Sequence, residues 1–244
     1  MRVPECDVLI VGAGPAGCAA AITARRHGLS VIAIDKATFP RDKCCGDGLT
    51  TLALRELESL GLKPSASSWI SVEDVSLHSP FGREIHLKLP RGRGQYAAVV
   101  KRIELDAELV QLTINAGAEV YQGVAFDNIK LTPQGTQVSL DDGRTLTAKN
   151  VIAADGMWSP VRKALGCTPA GYRGDWHGFR QYMRAEGPRS RDLWVWFERD
   201  LLPSGFHANL TNSGRLLKNQ HESSRSHLIS RTALSHAKNP RRTT

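Results

Sequence analysis

Gly12-Ala-Gly14-Pro-Ala-Gly17, with Asp35 eighteen residues beyond the last glycine, has the residue types and spacing to hold a pyrophosphate and a ribose. Gly12 permits a tight turn, Gly14 lets backbone come within hydrogen-bonding distance of a phosphate, and Gly17 lets the following helix lie close on the preceding strand. The phosphates then meet a helix N-terminus, where unsatisfied N–H groups and the positive end of the dipole favour an anion. Pro15 suits the first helical position, since its missing N–H costs nothing there. A carboxylate at Asp35 can accept both hydroxyls of an adenosine ribose. Ala16, inside the turn, and Lys36, next to the acid, complete the expected contacts of this half of the site.

Such a turn works only if a strand delivers it and a helix leaves it. Asp7-Val-Leu-Ile-Val11 reads as the strand, an alanine-rich helix is expected over 15–27 with Gly28 ending it, and Ser30-Val-Ile-Ala-Ile-Asp35 reads as the second strand of a βαβ unit. The stretch 36–50 is too polar, and too broken by Pro and Gly, for regular structure; it is expected to be a loop at the carboxyl edge of the sheet, where doubly wound folds keep their chemistry. A helix is expected over 51–60. Residues 69–99 alternate weakly around Ser79-Pro-Phe-Gly82 and predict a pair of strands interrupting the nucleotide domain. A helix over 101–115 and a strand over 118–124 follow. Asp141-Asp-Gly-Arg144 is a hairpin signal between strands at 137–140 and 145–148. Val151-Ile-Ala-Ala154 reads as a fully buried strand, which Asp155-Gly156 turns into a short helix capped by Ser159 with Pro160 at its first position.

At 244 residues, with 41% apolar and 23% charged residues, the chain can bury a sizeable core. No apolar run approaches the roughly 18–20 residues that cross a bilayer, and Glu5, Asp7 and Pro15 interrupt the only signal-peptide-like stretch, so a cytoplasmic protein is expected. Five cysteines (Cys6, Cys18, Cys44, Cys45, Cys167), odd in number and without C-x-x-C spacing, argue against a disulfide framework and a zinc site. The formal charge of +8 does not mark a nucleic-acid partner: residues 207–244 carry seven Lys/Arg against one acid, so the first 206 residues hold only 25 against 23. From 167 to 206 the chain is rich in aromatics and arginine. Beyond Phe206 there is no Phe, Tyr or Trp, and the stretch 207–244 is expected to be a basic tail without fixed structure.

Three motifs stand in a fixed order: the glycine turn with Asp35, the loop Lys43-Cys-Cys-Gly-Asp-Gly-Leu-Thr50, and the turn Val151-Ile-Ala-Ala-Asp-Gly-Met-Trp-Ser-Pro-Val-Arg162. Together they resemble the glutathione-reductase-type FAD fold of the flavoprotein hydroxylases and, more closely, the geranylgeranyl reductase family, over roughly residues 6–203. Phe39-Pro-Arg41, Arg102 with Leu105-Asp106, and Leu193-Trp-Val-Trp-Phe-Glu198 match as well. The resemblance implies an α/β fold, a Rossmann-like FAD-binding domain with an inserted, mostly antiparallel substrate sheet. Its parts would be 1–68 and 100–166 for the FAD domain, 69–99 for inserted strands, and 167–206 for the start of the substrate sheet. It also implies that Arg102 lies near the diphosphate, that Val124 meets adenine through its main chain, and that Asp155 and Gly156 make the second flavin contact. Cys45, Gly46 and Asp47 would lie beside the isoalloxazine, Cys45 as a modulator or proton source.

The implied reaction is reduction of a carbon–carbon double bond in a prenyl chain, on a diphosphate, a quinone or a lipid, with FAD as cofactor and NAD(P)H, a ferredoxin or a quinol as electron donor. An isoprenoid or other apolar substrate would bring the protein to a membrane surface. The pattern fails after Pro203: the family's Pro-x-x-Tyr-x-Trp-x-Phe-Pro motif keeps only the proline and an aromatic, and a later Gly-Asp flavin motif is missing. The break in composition at Phe206 points to a truncated gene or a changed reading frame, with weak FAD retention expected for the chain alone. Two other readings fit the same glycine turn: an aromatic monooxygenase, and a non-catalytic nucleotide-binding fragment.

Overall fold

The computed structural model describes residues 5–45, 47–92, 94–168, 180–182, 191–197 and 206–210. In chain order its elements are β1 (Cys6–Val11), α1 (Pro15–Arg26), β2 (Val31–Asp35), β3 (Gly48–Thr50), α2 (Thr51–Leu60), β4 (Ile70–Ser71), β5 (Asp74–His78), β6 (Glu84–Lys88), β7 (Ala97–Val99), α3 (Arg102–Asn115), β8 (Glu119–Gln122), β9 (Phe126–Thr132), β10 (Gly135–Leu140), β11 (Thr145–Ala153), α4 (Pro160–Ala164), β12 (Leu193–Phe197) and β13 (Phe206–Leu210).

A six-stranded sheet in the order β8-β2-β1-β11-β10-β9 carries the glycine turn. β1 sits in its centre, parallel to β2 and β11, and is apolar at every position but Asp7, as a strand buried on both faces must be. Leu9, Ile10 and Ile34 are fully buried, with α1 and α3 against the sheet. Close contact is built into α1 by Gly17, Ala20, Ala21 and Ala24. At the amino edge, Asp7 ties β1 to its neighbours by accepting from Ser30 N and Oγ (2.7 Å each) and from Lys149 Nζ (2.6 Å). Those contacts hold its carboxyl below the usual carboxylate range, Lys149 contributing most.

The remaining strands form two smaller sheets, β3-β7-β4 and β13-β12-β5-β6. The expected pair of strands over 69–99 is therefore four strands shared between two sheets. β3 also interrupts the expected loop: Gly48–Thr50 finds an antiparallel partner in β7 despite its lack of apolar pattern. β9 was not expected at all, since Phe126-Asp-Asn-Ile-Lys-Leu-Thr132 mixes polar and apolar residues on an outer strand and leaves Leu131 exposed. Nor is the stretch from 151 a fully buried strand of its own. It continues the hairpin strand as β11, and because β10 pairs only as far as Ala148, residues beyond it have β1 on one side alone, which leaves Ile152 and Ala153 exposed. Part of the expected tail forms a strand: residues 207–210 belong to β13, whose backbone pairs antiparallel with β12. The rest of the tail lies outside the described residues.

On β12, Trp194 and Trp196 stack on His78 of β5, ring centroids 5.4 and 5.0 Å apart, as a strand packed in a sheet would place them. Ile85, Leu87 and Phe197, on the opposite face of this sheet, are exposed. No helix among the described residues is long and apolar enough to cross a membrane.

Candidate functional site

The carboxyl ends of β1, β2 and β11 converge on the glycine turn. Gly12 N donates to Ile34 O (2.8 Å) and Ala154 N donates to Val11 O (2.8 Å), so the turns after all three strands are side by side. Gly12 has φ +101°, and a Cβ there would lie 2.4 Å from the carbonyl oxygen of Ala154. Gly17 is required still more strictly: its Cβ would lie 1.8 Å from the carbonyl oxygen of Gly12. Gly14 differs from both. Its backbone is ordinary (φ −74°, ψ −176°), and a Cβ would meet nothing nearer than Arg41 Nη2 at 3.7 Å. The fold does not need a glycine there, so the space kept clear is space for something that is not the protein. Beyond it, the N-terminus of α1 has no side-chain cap and no acid in its first turn, with Ala16 exposed; that is an anion-accepting end.

Two arginines add charge beside this end. Arg102, the first residue of α3, donates from Nε and Nη2 to Asp106 (2.7 and 2.8 Å), and Arg41 Nη1 donates to the same carboxylate (2.8 Å). Asp106 is fully buried, while the side chains of Arg102 and Arg41 keep 15% and 19% of their surface. One buried acid thus orients two partly exposed cations, leaving a net positive charge beside the turn. Asp106 is the main cause holding the Arg102 guanidinium above even its usual high range, with a smaller contribution from Cys45. Arg41 is further fixed over the Phe39 ring, 4.9 Å from its centroid.

Asp35, half-buried at the end of β2, accepts from Ala13 N (2.8 Å) and Ala37 N (2.9 Å). Each of its oxygens retains acceptor capacity, and the two N–H contacts fix the direction in which that capacity points. Lys36 is exposed beside it. Val124 is buried and donates its N–H to Asp35 O (3.0 Å), which brings its backbone beside Asp35. Asp155 accepts from Val161 N (3.0 Å) and so caps α4 together with Ser159; Gly156 turns there with φ +84° into open space. Cys45 is exposed, Gly46 lies outside the described residues, and Asp47 is buried with a left-handed backbone (φ 58°). A separate hollow of about 550 Å³, lined by Leu54, Leu57, Trp69 and Tyr96 among others, shares no residue with the glycine turn.

Four residues outside the expected set shape the site. Asp106 has a sequence signal: an acid beside Leu105, Leu109 and Val110 on the buried face of a helix requires a cation, and Arg102 stands four positions earlier. Arg41, Arg180 and Tyr182 reach the site from irregular segments, where no periodicity announces them.

The FAD binding domain family model matches residues 5–197. The chain belongs to that family. An FAD-binding domain accounts for a glycine turn with an open Gly14, an acid at the end of β2 and a cationic flank, and the residues present fit the cofactor. Among relatives of known function, the chain is 35% identical over 205 residues to menaquinone reductase of Mycolicibacterium smegmatis, covering 78% of this chain and 47% of that protein. It is 40% identical over 165 residues to menaquinone reductase of Mycobacterium tuberculosis (66% and 40%), and 33% identical over 173 residues to digeranylgeranylglycerophospholipid reductase 1 of Methanopyrus kandleri (68% and 43%). The FAD-binding chain therefore spans less than half the length of these relatives. Among solved structures, a geranylgeranyl bacteriochlorophyll reductase-like protein from Thermoplasma acidophilum superposes with a TM-score of 0.69 at 22% identity, over 87% of this chain and 55% of that one. A probable FAD-dependent monooxygenase from Pseudomonas aeruginosa gives 0.58 at 22% identity, over 69% and 47%. Both likenesses are of fold.

Proposed function

We propose that this chain is the FAD-binding part of a reductase that saturates a carbon–carbon double bond in a prenyl chain carried by a quinone or a lipid. The observation that carries this reading is the Cys-Gly-Asp loop and its placement: Arg180 holds Asp42, the Lys43 carbonyl and Asp47, and the Asp47 carbonyl accepts from Val100 N, two residues before Arg102 of the cationic flank. Hydroxylase folds share the glycine turn and the Asp155 turn, whereas a Cys-Gly-Asp loop beside the flavin belongs to the reductase pattern. The relatives named as menaquinone and digeranylgeranylglycerophospholipid reductases support the same substrate class.

In this reading the first-turn N–H groups of α1, with Gly14, receive the pyrophosphate, and Asp35 holds the ribose while Lys36 and Val124 flank the adenosine. Arg41 and Arg102, aimed by Asp106, balance the phosphate charge. When bound, the flavin supplies hydride-transfer chemistry. Reducing the alkene also requires a proton, and the Cys45 thiol is the group this chain would hold for it at Sγ. An apolar prenyl substrate would place the protein at a membrane surface, with NAD(P)H or another reductant as donor.

The test is anaerobic incubation of the FAD-loaded chain with reductant and a prenylated naphthoquinone. The product gains two hydrogens by mass in the side chain, and Cys45→Ala slows that gain. If the anaerobic product gains no hydrogen and the same incubation in air consumes oxygen and yields a product heavier by one oxygen, a monooxygenase replaces this reading.

A further inference from the structure

Asp47 is the only residue other than glycine with a left-handed backbone among the described residues, and its carboxylate is buried. Such a conformation persists where the surroundings over-determine it. What does so here comes from more than 130 residues away: Tyr182 Oη donates to Asp47 Oδ2 (2.7 Å) and Arg180 Nη1 to Asp47 Oδ1 (3.2 Å). Arg180 also donates to the carbonyl oxygen of Lys43 (3.0 Å) and to Asp42 Oδ2 (2.5 Å). Its guanidinium lies 4.4 Å from the centre of the Tyr182 ring, and Lys101, the residue before Arg102, lies 5.5 Å from the same ring. The backbone of Asp47 is held from the other side, its carbonyl accepting from Val100 N (3.0 Å). Loss of water around the phenol, then the Asp47 contact, push Tyr182 above its ordinary range, so it stays a donor.

Arg180 and Tyr182 therefore grip the loop at positions 42, 43 and 47, with Cys45 between the grips. We propose that these two are positioning residues: by anchoring Asp47 and the Lys43 carbonyl, they set where Cys45 stands relative to Arg102 and to the flavin ring. This rests on the reading of the loop as the flavin-side loop. Among the described residues, the hydrogen bonds of Arg180 and Tyr182 go to positions 42, 43 and 47 and not to the glycine turn or Asp35, which build the adenosine half of the site.

Tyr182→Phe keeps the ring under the two cations and removes only the hydroxyl, while Arg180→Lys keeps the charge and loses the fork that reaches three acceptors at once. Each variant of the full chain is titrated with FAD and with ADP, and trypsin cleavage after Lys43, the peptide bond whose carbonyl Arg180 holds, is followed by mass spectrometry. The expected result is FAD affinity down about tenfold, cleavage after Lys43 accelerated, and ADP affinity unchanged. A merely structural role would weaken ADP and FAD together; that parallel loss, or unchanged FAD affinity and cleavage in both variants, overturns the inference. A wild-type chain that binds ADP but not FAD overturns the flavoenzyme reading instead, an outcome distinct from wild type and variants binding FAD equally.

Discussion

Gly14→Ala and Gly17→Ala, three residues apart in one turn, are expected to fail in opposite ways. A Cβ at Gly17 would stand 1.8 Å from the carbonyl oxygen of Gly12, backbone against backbone, so α1 must move off the sheet. Overpacking of that severity costs more than about 3 kcal/mol, a fall in Tm of about 6–12 °C for a chain of this size. A Cβ at Gly14 meets only the far end of Arg41 at 3.7 Å, in a backbone conformation that alanine adopts freely. Alanine is a poorer N-cap than glycine, which is offset by a less flexible unfolded chain, so stability changes by no more than about 1 kcal/mol. The methyl does occupy the approach to the α1 N–H groups, and ADP affinity should fall at least about 30-fold, about 2 kcal/mol. Thermal unfolding by circular dichroism and ADP titration by calorimetry separate the two effects. If Gly14→Ala unfolds as Gly17→Ala does, or folds and binds ADP normally, Gly14 is not reserved for a phosphate.

Asp106→Asn should destabilise the chain by about 3 kcal/mol, because a buried acid paired with two guanidiniums is removed, and should weaken ADP binding about tenfold as both arginines lose their aim. A simple count of charge predicts tighter binding, so the sign in a calorimetric titration decides. Asp7 is depressed by Lys149 and Ser30, so its contribution is present above the unfolded carboxyl value of about 3.9 and is lost as pH falls through the lower folded value; Asp7→Asn should flatten the acid limb of a Tm-against-pH curve below about pH 4. Burial pushes the Cys6 and Cys18 thiols up to about 11. In the native chain at pH 8, iodoacetamide should label Cys44, Cys45 and Cys167, which are exposed, and spare Cys6 and Cys18, as peptide mass mapping would show.

The βαβ unit was legible because each part carries its own physical signature: an unbroken apolar strand, a proline-opened and alanine-rich helix, and an acid closing the second strand. The Ser159 cap was equally local, and it accepts from Arg162 N. What the sequence hid depends on partners distant along the chain. β3 exists because β7 is there to pair with it, and Ile152 is exposed because β10 stops short, facts about neighbours rather than about Gly48 or Ile152. Arg41 and Arg102 were visible as charges, but that one buried acid aims both is a property of the packed site. Tyr182 and Arg180 lie in a segment whose composition suggests only an aromatic, basic stretch; their grip on Asp47 is tertiary throughout.

A crystal structure of the full chain with ADP tests the central claim most directly. The phosphates should lie over the first-turn N–H groups of α1 against Gly14, with both ribose hydroxyls on Asp35 and Arg102 or Arg41 beside the diphosphate. ADP found instead in the hollow between Leu54 and Trp69, or bound with Asp35 turned only to Ala13 and Ala37, would contradict it.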